Sequence, residues 1–85
     1  MADETFNHIA LRLKQIRRER DMTQSQVAAL AGTDTNYYAK IERAEAIPSL
    51  KMFLRITKAL KAKTSDILPF WFAKRLEHLF HFVII

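Results

Sequence analysis

A single glycine, Gly32, is the strongest constraint this 85-residue chain places on its own fold. One glycine, two prolines and helical periodicity nearly throughout argue for an all-α fold. Gly32 stands inside TQSQVAALAGTDTNYYAKIE, Thr23 to Glu42. On its N-terminal side, Thr23 and Gln26 have the Thr-x-x-Gln spacing of a capping box and open a helix. Val27, Ala28, Leu30 and Ala31 supply that helix with an apolar face. Gly32 then suits the left-handed position just past a helix end, where a side chain is penalised. Thr33 or Asp34 can cap a second helix. Tyr38 and Ile41 are expected to face inward from it, leaving Thr35, Asn36, Tyr37 and Lys40 on the exposed side. The segment predicts two short helices about a tight turn, the second showing polar and basic side chains.

The flanking sequence extends this pattern. Phe6, Ile9, Leu13 and Ile16 recur at spacings of three and four, which predicts a first helix over about Thr5 to Arg20. Its polar face carries Arg12, Lys14, Arg17, Arg18 and Arg20, with Arg12, Arg18 and Arg20 expected to be simply solvated. Ala44 to Pro48 reads as a loop, because Pro48 disfavours helix at Ile47. Ser49 can cap a fourth helix running to about Leu60, with Leu50, Phe53, Leu54, Ile56 and Leu60 on its buried side. A short fifth helix, capped by Thr64 or Ser65, stops at Pro69. The expected fold class is all-α, with a five-helix domain over residues 1–68 and an apolar segment over 69–85. A chain this small buries roughly 60% of its unfolded surface, so the core is modest.

Composition removes several classes of function. The absence of cysteine excludes disulfides and zinc–thiolate sites, and it suits a reducing cytoplasm. MADETFNH lacks the basic and apolar regions of a signal peptide. One glycine cannot build a glycine-rich phosphate loop, and no catalytic triad, Cys-His pair or carboxylate pair has a recognisable spacing. The chain is therefore not expected to be an enzyme or to need a cofactor. His78 and His81 share a helical face beside Glu77, but two histidines without a third ligand make a weak metal site. The formal charge is +5, from 14 Lys and Arg against nine acidic residues. A basic surface favours a polyanion through counterion release. A short polar and basic helix held by a small-residue turn is the physical description of a helix-turn-helix reader of DNA.

Leu13 to Leu68 resembles the helix-turn-helix family of phage lambda repressor and Cro, the XRE family. The matching pieces are Leu13-x-x-Ile16-Arg17, Thr23-Gln24-x-x-Val27-Ala28, Gly32, Ile41-Glu42-Arg43, Pro48-Ser49-Leu50 and Ala59-Leu60. The resemblance implies a lambda-repressor-like domain, cytoplasmic in a bacterium or encoded by a phage. It implies a transcriptional regulator, often a repressor, that binds double-stranded DNA at an inverted-repeat operator as a homodimer. Residues 34–42 would then lie in the major groove, two such helices about 34 Å apart. In layout the chain is most similar to restriction-modification controller proteins, which also follow five helices with a short apolar tail. Three residues depart from the family pattern. Ala44 stands where glycine is common, Tyr38 replaces an aliphatic core residue, and Thr33 replaces an aliphatic residue in the turn. A buried Tyr38 needs a partner for its hydroxyl.

The resemblance also suggests roles for single residues. Gln24 opens the second helix, where backbone N–H groups favour a phosphate, and its family counterpart commonly clamps the DNA backbone. Thr35, Asn36, Tyr37 and Lys40 form the expected major-groove face; Asn pairs with adenine and Lys donates to guanine. The bland reading of all four is an ordinary exposed polar face. Arg17 and Glu42 resemble a family pair that bridges the first and third helices, against the alternative of a surface ion pair worth roughly 0–1 kcal/mol. Arg43, Ser49 and Lys51 flank the following loop and are expected to hold phosphates.

The segment after Pro69 has a different character, with five of the nine aromatic residues. Trp71, Phe72, Leu76, Leu79, Phe80 and Val83 are expected to form a dimer interface, since large apolar patches mark contacts. Folding back over the core, or lying on a membrane surface, are the alternatives; the segment is too short to span a bilayer. The competing functional class is an antitoxin-like protein-interaction module whose tail docks a protein partner.

Overall fold

The computed structural model describes residues 4–69. They form α1 (Glu4–Glu19), α2 (Gln24–Ala31), α3 (Thr35–Glu42), α4 (Leu50–Ala59) and α5 (Thr64–Ile67), with no strand among the described residues. The all-α expectation holds. The apolar segment expected over 69–85, with its dimer-interface residues and its two histidines, lies beyond the described residues apart from Pro69.

The helix starts follow from side-chain caps. The Thr23 Oγ1 accepts from the Gln26 backbone N at 3.0 Å, and the Gln26 Oε1 accepts from the Thr23 backbone N at 2.8 Å. Each bond satisfies an N–H that a helix start leaves without a partner. Asp34, not Thr33, caps α3, its Oδ1 accepting from the Tyr37 backbone N at 2.8 Å. Ser49 caps α4, accepting from the Met52 backbone N at 3.1 Å. Neither Thr64 nor Ser65 caps α5. Instead the Asp66 Oδ2 accepts from the Lys63 backbone N at 3.0 Å.

The ends of α1, α2, α3 and α4 all close in the same way. The backbone N–H groups of Met22, Thr33, Glu45 and Ala62 donate back to the carbonyls of Arg17, Ala28, Lys40 and Thr57. This is the Schellman closure, and it requires a left-handed residue within the turn. Asp21, Gly32, Ala44 and Lys61 fill that position, at φ of 55°, 76°, 60° and 55°. Glycine therefore marks one of four equivalent turns. At Ala44 the turn closes like the others, and the missing glycine shows up as backbone strain.

The core collects Phe6, Leu13 and Ile16 from α1, Val27, Ala28 and Ala31 from α2, and Tyr38 and Ile41 from α3. Phe53, Ile56 and Leu60 from the α4 region, with Ile67 and Leu68, complete it. α2 packs on α3 and α4, while α1 packs on α3 and α5. Three leucines expected inside are outside: Leu30, Leu50 and Leu54 are 67%, 73% and 50% exposed. Their sites flank the apolar stripe at roughly 100° steps per residue, and on that flank of α4 Thr57 is buried instead, its hydroxyl donating to the Phe53 carbonyl at 2.8 Å. Two arginines expected to be merely solvated tie elements together. The Arg12 Nε donates to the Asp66 carbonyl at 2.9 Å, and the Arg20 Nε donates to the Leu60 carbonyl at 3.1 Å, just past the end of α4.

Candidate nucleic-acid interface

The two sides of α3 differ completely in environment. Tyr38, Ile41 and Glu42 are buried, so the spacing of a helix sends Thr35, Asn36 and Lys40 to solvent. Asn36 and Lys40 stand four residues apart, one above the other on the same face. Tyr37, expected on that face, is half-buried and packs against the core. Its aromatic ring is partly engaged on the inner side.

Glu42 anchors this helix from below. Its Oε2 accepts from the Arg17 Nε at 2.7 Å, and its Oε1 accepts from the Arg17 Nη2 at 3.1 Å. The same Oε1 accepts from the Gln24 Nε2 at 3.0 Å. Arg17 also donates through Nη1 to the Met22 carbonyl at 2.9 Å. One carboxylate thus joins the end of α1, the first residue of α2 and the last residue of α3. Burial pushes the Glu42 carboxyl up, but hydrogen bonding from Arg17, Tyr38 and Gln24 outweighs it and holds the group below the usual range. The Glu42 hydrogen bond in turn raises the Arg17 guanidinium.

Sequence reasoning paired Arg17 with Glu42 but missed Gln24 as the third member. Gln24 and Glu42 are 18 residues apart, and no local periodicity joins them. Arg43 is exposed and forms an ion pair with Glu45, Nε to Oε2 at 2.6 Å. The Ser49 hydroxyl accepts the α4 capping bond, and Lys51 is exposed beside it. Among the described residues no group of three or more His, Cys, Asp or Glu could hold a metal, and no helix is long and apolar enough to cross a membrane.

Comparison with known proteins agrees with this architecture. The controller protein C.AhdI from Aeromonas hydrophila superposes with a TM-score of 0.71 at 25% identity, covering 74% of this chain and 96% of that one. The controller protein C.Esp1396I gives 0.69 at 28% identity, covering 72% and 80%. The P22 c2 repressor gives 0.65 at 22% identity, covering 71% and 91%, a likeness of fold alone. No curated protein matches the sequence significantly. A model of the helix-turn-helix family matches residues 13–68, the span that holds the Gly32 turn, the Glu42 joint and the exposed face of α3, and the chain belongs to that family.

Proposed function

We propose that this helix-turn-helix regulator binds an inverted-repeat operator in double-stranded DNA as a homodimer, with α3 in the major groove. The observation that carries the reading is the exposed Thr35, Asn36 and Lys40 face on a helix whose other side is locked by Glu42 to Arg17 and Gln24. A helix held this firmly presents base-reading side chains without first having to order itself, which is the condition for tight recognition. Asn36 and Lys40 read base edges, and Thr35 adds a methyl or hydroxyl contact. Tyr37, half-buried, reaches a phosphate or a base edge from the margin. Gln24, at the α2 N-terminus, takes a phosphate, as do Arg17, Arg43, Ser49 and Lys51. A related structure supports the assignment: C.Esp1396I was crystallised as a tetramer with its natural 35 base-pair operator.

The two-fold partner is a second copy, docked through the segment 69–85, and the protein works in the cytoplasm. Selection from a random duplex library at near-physiological salt tests the reading, with an enriched inverted repeat as the expected result. Asn36→Ala and Lys40→Ala should then each lower specific affinity by about 1–3 kcal/mol and relax preference at one operator position. Unchanged preference in both variants rules out α3 as the reader.

A second reading has its own observation. Leu50 and Leu54, four residues apart on α4, are 73% and 50% exposed, and neighbouring exposed apolar side chains are the kind of surface that marks protein contacts. A protein-interaction module would form a stable heteromeric complex and retain no DNA.

A further inference from the structure

Three carboxylates lie in the segment from Thr33 to Lys51 that holds α3 and its flanks: Asp34, Glu42 and Glu45. The first two have duties in the fold. Asp34 caps α3 through the Tyr37 backbone N, and Glu42 is buried on Arg17 and Gln24. Glu45 has no such duty. Its side chain is 54% exposed, and among the described residues it meets only Arg43, Nε to Oε2 at 2.6 Å and Nη2 to Oε1 at 3.5 Å. Water reaches both ends of the pair, so it adds little to stability.

The turn fixes where this carboxylate stands. Ala44 takes the left-handed conformation at φ 60°, and the Glu45 backbone N donates to the Lys40 carbonyl at 2.8 Å. Glu45 is therefore folded back against the last turn of α3, on which Lys40 stands. The hydrogen bond from Arg43, with the charges of Arg43 and Lys40 added, holds its carboxyl below the ordinary range, so it is ionised at neutral pH. Arg43 caps the end of the same helix and is itself exposed. A guanidinium has several N–H donors, and Glu45 leaves Nη1 unused, so a phosphate can bind without displacing the carboxylate. One positive charge then serves two anions. Whether Glu45 stays or turns aside, its charge stands beside the phosphate and takes up a cation from solution. That uptake offsets the cation released when Arg43 neutralises the phosphate.

We propose that Glu45 limits the affinity of the α3 surface for DNA: by sharing the Arg43 guanidinium with a phosphate, it cancels the contribution of one cation to binding and to salt dependence. Glu45 acts on every duplex alike. It sets how tightly the regulator holds DNA and leaves the preferred sequence to Asn36 and Lys40. This inference rests on the DNA-binding reading above.

The test is Glu45→Gln, which removes the charge and keeps the shape. Its affinity for a duplex selected with the wild type, and for an unrelated duplex, is measured across a salt series. Glu4→Gln is the control: it makes the same change of net charge at the start of α1, about 20 Å along the helix from Arg17 and beyond the screening length. Glu45→Gln should hold both duplexes more tightly, with log K against log salt steeper by about one. Its advantage should therefore be about threefold larger at roughly 50 mM salt than at roughly 200 mM. The ratio of selected to unrelated affinity should stay as in the wild type, and Glu4→Gln should change neither affinity nor slope. Unchanged affinity in Glu45→Gln overturns the proposal, as does an equal gain in Glu4→Gln, which would make net charge alone the cause. Weaker binding with preference lost at one C·G pair overturns it too, since Glu45 would then be accepting from a cytosine amino group. Failure of the wild type to hold any duplex refutes the DNA reading itself, and it is told apart because it shows before any variant is compared.

Discussion

Two ion pairs in this molecule have almost the same length and opposite settings. Arg17 meets Glu42 at 2.7 Å with side-chain exposures of 12% and 2%, while Arg43 meets Glu45 at 2.6 Å with exposures of 53% and 54%. Contact distance therefore says nothing about what either pair contributes. The buried pair spans 25 residues of sequence and fastens α1 to α3. Its carboxylate has left water, so it depends on the donors around it, and losing one partner strands the other charge. The exposed pair spans two residues of one turn. Water solvates both of its ends, and side-chain entropy offsets most of the attraction. One pair determines how the helices sit; the other decorates the surface.

The sharpest way to break this contrast is Glu42→Ala. It should cost about 3 kcal/mol in urea unfolding, the lower part of the range for a broken buried pair, because Arg17 keeps its bond to the Met22 carbonyl. A loss as small as that of the exposed pair would refute the distinction. Acid titration follows. The Glu42 carboxyl sits below the ordinary carboxylate range in the folded chain, so its contribution is complete above that range and disappears as pH falls through the lower folded value. Stability measured downward from about pH 5 should decline in the wild type, and Glu42→Gln should remove that part of the decline.

A smaller effect separates strain from charge within the exposed turn. Ala44 lies between Arg43 and Glu45 at φ 60°. A left-handed alanine costs roughly 1–2 kcal/mol, partly offset by the greater unfolded freedom of glycine, so Ala44→Gly should stabilise by about 0.5–1 kcal/mol. Thermal melts should show the same gain with or without Glu45. A gain that vanished in a Glu45→Ala background would mean the surface pair holds the turn. Glu45→Ala alone should be the smallest change, lost within the error of the melt.

Much of the fold was legible because helix caps and apolar stripes are local. Thr23 and Gln26 announced the start of α2, Ser49 that of α4, and Phe6, Leu13 and Ile16 the inner face of α1. The stripe edges misled: Leu30, Leu50 and Leu54 were assigned inside by residue type, yet a periodic pattern locates the centre of a buried face and not its width. Glycine revealed one turn of four, because Asp21, Ala44 and Lys61 accept the same conformation at a backbone cost. At the candidate interface, Asn36 and Lys40 were readable from the 3.6-residue period. Tyr37 was not, since its half-burial comes from packing against the rest of the core.

By itself the sequence determined the five helices of the described residues, most of their starting points, the basic charge and the outward placement of Thr35, Asn36 and Lys40 on α3. These depend on neighbours within one or two turns of chain, where side-chain hydrogen bonds and periodicity act. Only the tertiary structure decided that Gln24 shares a carboxylate with Arg17, and that Arg12 and Arg20 fasten the first helix and its end to the C-terminal part of the body. Those contacts join residues 18 to 54 positions apart. They exist because packing removes the polar groups from water, and each must then find whatever partner the fold brings near.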